Sequence, residues 1–169
     1  MDRVDGYRLD LGGMTEDAVS HRWQLTDDFF AAVNGREIGK GQVDVALRVK
    51  RTSEAFELEF GFDGVVEVEC DRCLGRMNQP VHGETVLHVR LDDEDGDDGE
   101  LITVARVPGI LDLSWHMYEM VALGIPLRHV HPDGECDAAI VQRLDGEGQE
   151  RQTDSRWDAL KELITKTNK

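Results

Sequence analysis

From Gly41 onward, every second residue is apolar. Val43, Val45, Leu47 and Val49 alternate with Asp44, Ala46, Arg48 and Lys50, and Phe56, Leu58, Phe60 and Phe62 alternate with Glu57, Glu59 and Gly61. A period of two puts each apolar set on one face of a half-buried strand. Val66, Val68 and Cys70 form a third such set after Asp63-Gly64, which reads as a turn. Residues 81–91 give a fourth, with Leu87, Val89 and Leu91 on one side. Residues 7–11 and 21–25 are shorter alternating pieces, and residues 101–105 read as a return strand. Four consecutive strands joined by short turns predict an antiparallel meander or a small barrel.

Helical spacing interrupts this pattern three times. Thr26-Asp27-Asp28 opens one or two turns with Phe29, Phe30 and Val33 on the apolar side, and Asn34-Gly35 stops them. Asp112 then caps residues 113–123, where Leu113, Met117, Met120 and Val121 share a face and Gly124 and Pro126 end the run. Trp115 and Tyr118 widen its apolar area, so this helix is expected between the sheet and another layer; His116 reads as an ordinary histidine within it. Patterning fades after Cys136. Ser155, with Asp158 three residues on as in a capping box, opens a last helix over residues 156–165 whose stripe is Trp157, Leu160, Leu163 and Ile164. That helix has two destinations, its own domain or a partner. The expected division is one β-rich domain over residues 1–144, a polar linker over 145–154 and a C-terminal amphipathic helix over 155–169. The fold class is α+β, mainly β: an antiparallel sheet or partial barrel with one packed helix and a C-terminal helix.

Charge narrows the range of partners. Asp and Glu number 35 against 19 Lys and Arg, a formal net charge of −16. Such a field repels phosphate backbones, so a basic protein suits it better than nucleic acid held non-specifically, although one local patch is enough for an RNA contact. Residues 92–100 carry seven acids and no base. Dense like charge without an apolar anchor predicts a mobile loop. There is no apolar run of membrane-spanning length and no signal-peptide core at the N-terminus, which reads as a cytoplasmic protein.

Candidate chemistry is confined to the three cysteines. Cys70 and Cys73 form a Cys-x-x-Cys at the end of an alternating run, with Gly75 two residues on; Cys136 closes His129-Val130-His131-Pro132-Asp133-Gly134-Glu135-Cys136 far downstream. One Cys-x-x-Cys turn supplies two zinc ligands without strain, and a remote His/Cys turn can supply two more. The candidate set is Cys70, Cys73, His131 and Cys136, with His129 as the substitute ligand. Three reduced thiols with no Zn2+ are the competing reading. A redox dithiol would want a helix N-terminus to lower a thiol pKa, and residues 74–82 have no helical pattern. A catalytic zinc would want a nearby base, and none is marked out. Phosphate loops, nucleophile elbows and His-Glu-x-x-His are missing from the sequence. The default class is a binding protein without enzymatic activity.

Phe29-Phe30 before a turn, Cys70-Asp71-Arg72-Cys73-Leu74, and Leu111-Asp112-Leu113 leading to Ile125-Pro126-Leu127 give the chain a family likeness. In that order they resemble the bacterial YceD family, the large ribosomal RNA subunit accumulation proteins; the likeness runs from about residue 20 to 136 and returns at Trp157-Asp158-Ala159-Leu160. The resemblance implies a cytoplasmic factor needed for accumulation of 23S ribosomal RNA, with a relative in chloroplasts and a gene neighbourhood shared with a large-subunit ribosomal protein. The expected partners are a large-subunit precursor, its rRNA or a basic ribosomal protein. Arg72, Arg76 and Arg128, close to the cysteine turns in sequence, are the candidates for an RNA or partner contact. The rival class is an RNA-processing enzyme or nuclease cofactor, which would need clustered acids around magnesium. Some family members carry a more cysteine-rich second turn, where this chain has His131 and Cys136.

Overall fold

A computed structural model describes residues 5–99 and 101–147. The chain runs through β1 (Arg8–Asp10), β2 (Ala18–Leu25), α1 (Asp27–Val33), β3 (Lys40–Arg51), β4 (Phe56–Glu69) and β5 (Arg76–Asp92). It continues through β6 (Gly96–Asp97), β7 (Leu101–Ala105), β8 (Ile110–Asp112), α2 (Ser114–Leu123) and α3 (Ala138–Glu147). Two units divide it, the first ending at Val130 and the second beginning at His131. The sequence-predicted C-terminal helix, and the linker beyond the last residues of α3, lie outside the described residues.

In the first unit, six strands form an open sheet in the order β2-β3-β4-β5-β7-β6, and β1 pairs with β8 in a separate two-stranded ribbon. The expected class, mainly β and antiparallel, is what is found: all pairings are antiparallel except β5 with β7. The sheet does not close, so it is not a barrel.

The turn expected at Asp63-Gly64 does not exist. β4 runs unbroken through both residues, pairing with β3 from Arg51↔Phe56 to Lys40↔Glu67 and with β5 from Phe56↔Val89 to Glu69↔Arg76. Asp-Gly is a strong hairpin signal, but this glycine has a different reason. A Cβ on Gly64 would lie 2.3 Å from the Gln42 carbonyl oxygen and 2.6 Å from the Val43 Cα. Gly64 lets β3 press against β4, and the hairpin bend falls instead at residues 70–75.

One face of the sheet is covered by α1 and α2. Phe29 and Phe30 from α1 and Met117, Met120 and Val121 from α2 join Val43, Val45, Leu47, Leu58 and Phe60 in one core. Each such side chain contributes roughly 1.5–3 kcal/mol on burial. Gly35 sits against the Tyr118 ring, which a Cβ there would meet at 1.9 Å, and the Tyr118 hydroxyl accepts the Glu37 N–H at 3.0 Å. Asn34 ends α1 in the left-handed conformation at φ 55, as the Asn34-Gly35 signal predicts. The N-cap of α2 is Leu113 rather than the expected Asp112, which stands one residue earlier with its Oδ1 accepting the Ser114 N–H at 2.9 Å. The other face of the sheet carries the polar half of the alternation: Arg22, Asp44, Arg48, Asp63, His82 and Glu84 are exposed.

Two further expectations need correction. The acidic segment is not a structureless loop, because β6 lies within it and pairs with β7. Its acids are spent on backbone amides: Asp95 Oδ1 accepts from Ala105 N–H at 2.7 Å, Asp97 Oδ1 from Gly99 at 2.9 Å and Asp98 Oδ1 from Leu101 at 2.7 Å. Like charges are tolerated where each carboxylate stays near solvent and gains a donor. In the second unit, α3 occupies residues where the apolar pattern had faded. Asp137 opens it, with Oδ1 accepting the Ala139 N–H at 2.8 Å.

No helix among the described residues is long and apolar enough to cross a membrane.

Candidate metal centre

The longest hairpin, β4–β5, turns over at Cys70–Gly75. Its bend closes through the Cys70 N–H on the Gly75 carbonyl and the Leu74 N–H on the Cys70 carbonyl, both at 2.9 Å. Leu74 takes φ 58 to make the bend, a left-handed position held here by a leucine that is 71% exposed. The Arg72 N–H points at the Cys70 Sγ at 3.4 Å. Amides aimed at sulfur stabilise a thiolate, which is the form a metal binds. Both sulfurs are turned inward, with Cys70 and Cys73 buried although they stand at the tip of a hairpin.

The chain after α2 is tied to this bend by backbone. The Asp71 N–H donates to the His129 carbonyl at 3.0 Å, and the His129 N–H donates to Asp71 Oδ2 at 2.8 Å. The His129 ring is engaged as well: Nδ1 lies 3.0 Å from the Pro126 carbonyl and Nε2 is 3.6 Å from Asp71 Oδ1. Nδ1 is within hydrogen-bond distance of a carbonyl, which fixes the ring, while at 3.6 Å Nε2 is outside hydrogen-bond range of Asp71. Asp71 and His129 are the site residues that sequence reasoning missed as a pair. The only signal was their adjacency to the two cysteine motifs.

Three residues past His129, a β-turn closes on itself. The Glu135 N–H donates to the Pro132 carbonyl at 3.0 Å, and Gly134 takes φ 87, which glycine adopts at no steric cost. This turn brings the Cys136 Sγ within 3.9 Å of the His131 Nδ1.

Cys70 and Cys73 of the first unit and His131 and Cys136 of the second are the residues that could each offer a metal one ligand atom. Ligand bonds of about 2.0–2.3 Å at tetrahedral angles separate neighbouring donors by roughly 3.3–3.8 Å. Three thiols and one imidazole are the donor set of a structural zinc site, with no ligand position left over for water. The cluster could hold a metal.

Of the three arginines singled out from the sequence, Arg72 is an exposed residue of the bend itself. Arg76 opens β5 and pairs with Glu69 at 3.4 Å. Arg128 is exposed and precedes His129. All three belong to the first unit; Arg72 and Arg128 adjoin Asp71 and His129 in sequence, and Arg76 follows Asp71 by five residues.

Fold and site together define an α+β protein built on an open, mostly antiparallel sheet, with a Cys-x-x-Cys knuckle at the tip of its longest hairpin. The chain belongs to the family described as large ribosomal RNA subunit accumulation protein YceD, whose model matches residues 58–164. The match takes in most of β4, the knuckle, α2 and the His/Cys turn, and the family description ties it to accumulation of the large subunit's RNA. Neither the curated proteins nor the solved structures gave a match.

Proposed function

We propose that this chain is a non-enzymatic, cytoplasmic factor in large-subunit ribosome assembly, supporting accumulation of 23S rRNA by binding its precursor or a basic ribosomal protein. Membership of the accumulation-protein family over residues 58–164 carries the reading. In it, Cys70, Cys73, His131 and Cys136 hold a structural Zn2+. The metal, when bound, supplies a fixed cross-link between the hairpin bend and the chain after α2. The residues themselves prepare for it: the Arg72 amide favours thiolate at Cys70, and the Asp71–His129 tie holds the chain two residues before His131. Arg72, Arg76 and Arg128, around that tie, are the contacts for RNA or partner.

Depletion of the protein should lower 23S rRNA relative to 16S rRNA, and tagged protein should co-sediment with large-subunit precursors. Normal rRNA on depletion together with absence from every ribosomal fraction would overturn the reading. So would cleavage of precursor rRNA by the purified protein with magnesium present. For the metal, protein purified without chelator should carry about one equivalent of zinc. Strong chelation should then loosen amide protection at residues 70–75 and 129–137 and leave β3 protected. Less than about a tenth of an equivalent, with Cys70→Ser folding normally, leaves the thiols without a metal role.

A further inference from the structure

The open face of the sheet has a feature that the fold does not require. Gly61 lies in the middle of β4, paired with Ala46 on β3 and Glu84 on β5. Other glycines of the same strands are explained from within. A Cβ at Gly41 would meet Phe30 at 2.9 Å, at Gly64 the β3 backbone, and at Gly83 the Phe62 ring at 2.8 Å. At Gly61 a Cβ would meet nothing within 4 Å, and its φ is not left-handed. Neither packing nor backbone conformation asks for glycine here. A strand glycine without an internal reason marks a place where something outside approaches the backbone.

Gly61 and Ala46 form the floor of a trough of about 910 Å³, walled by Arg22, Asp44, Asp63 and Glu84. A second depression of about 480 Å³ shares Arg22, Ala46, Gly61 and Glu84 and extends the trough along the strands. Across β2 to β5 it spans roughly 14 Å at the usual strand spacing, which is about four residues of extended chain. The charges choose the occupant. Asp44 and Asp63 stand directly opposite each other on adjacent strands, like charges that repel, and Gln24 Nε2 donates to Asp44 Oδ1 at 3.1 Å. Across both depressions four carboxylates, Asp44, Glu59, Asp63 and Glu84, face two arginines, Arg22 and Arg48.

We infer that this trough is a docking surface for an extended, arginine- or lysine-rich segment of a protein partner. The segment's backbone lies over Gly61 and Ala46, and its cationic side chains reach Asp44, Asp63 and Glu84. The inference deepens the assembly reading above and rests on it for the setting in which such a partner is met. An RNA strand would bring phosphates to the same three carboxylates and is disfavoured there.

The test titrates the full chain with a short capped peptide of alternating arginine and alanine and follows its amide resonances. Shifts should concentrate at Arg22, Ala46, Gly61 and Glu84. Gly61→Leu, which fills the floor from a position with open space above it, should weaken binding about tenfold or more while thermal unfolding stays near wild type. The pair Asp44→Asn and Asp63→Asn should weaken it comparably. The charge-matched pair Asp93→Asn and Glu94→Gln should not. Shifts centred on residues 92–99, unchanged affinity in Gly61→Leu, equal binding of a glutamine–alanine peptide, or trough shifts with oligouridylate in place of the peptide would each overturn the inference. Reduced 23S rRNA on depletion without trough binding refutes this inference alone; trough binding with normal rRNA and absence from every ribosomal fraction refutes only the assembly reading.

Discussion

Gly64 and Gly61 are three residues apart on the same strand and face opposite ways. Gly64 looks toward the helices, where a side chain would collide with the backbone of β3; Gly61 looks away from them, where a side chain would meet nothing. The difference extends to their neighbours. On the helix side, Phe60 and Leu58 are sealed at 2% and 0% exposure. On the open side, Glu59 and Glu57 both bond the ammonium of Lys50 across the ladder. One face is governed by volume and the other by charge. A residue that fits neither rule, such as Gly61, is therefore informative.

The largest effect should come from the packed face. Phe60→Ala removes a buried ring from the centre of the core and should cost about 3–5 kcal/mol, read from urea or thermal unfolding. A loss under about 1 kcal/mol would mean that the helices do not seal this face. Next comes the pair of glycines. Gly64→Ala should cost about 1–3 kcal/mol, because the added carbon must displace backbone. Gly61→Ala should raise stability by about 0.5–1 kcal/mol, since only the flexibility of glycine is removed. Opposite signs confirm the contrast between the faces; equal losses abolish it, and with it the argument for an external occupant.

The smallest effect is electrostatic and belongs to the open face. The Lys50 ammonium, bonded to Glu59, holds that carboxyl below its ordinary range. A carboxylate depressed in the folded state adds stability that is present above its unfolded pKa and fades as pH falls through the lowered folded value. Lys50 is shifted the opposite way, upward, chiefly by the same bond to Glu59. Its share is therefore present below the ordinary lysine pKa and lost as pH rises through the raised one. Unfolding midpoints followed from neutral pH to about pH 3 should fall less steeply in Lys50→Met than in wild type. Parallel curves would show that solvent screens the pair completely.

Alternation of apolar residues was enough to read β3, β5, the two halves of β4 and the mainly β class, because a period of two reports directly which residues can share a buried face. Start and stop residues located α1 and α2, although Thr26 makes no side-chain cap bond and the N-cap of α2 is Leu113. Local sequence misled at Asp63-Gly64, where the residues of a turn serve a close approach between neighbouring strands. It misled again in the acidic segment, where carboxylates that repel in an unfolded chain accept amides in a folded one. At α3 the start signal was a single Asp137, too little to stand out from its polar surroundings.

For the site, ligand types and spacings were legible because thiol and imidazole chemistry belongs to the residues themselves. The contacts of the His129 ring, and the part played by Asp71, were not. They depend on which oxygens stand beside which ring, and those oxygens come from residues far apart in the chain. Periodicity and donor chemistry are properties of the sequence alone. Who faces whom across a sheet or a bend is decided by tertiary structure, since only the folded chain brings distant groups within bonding distance.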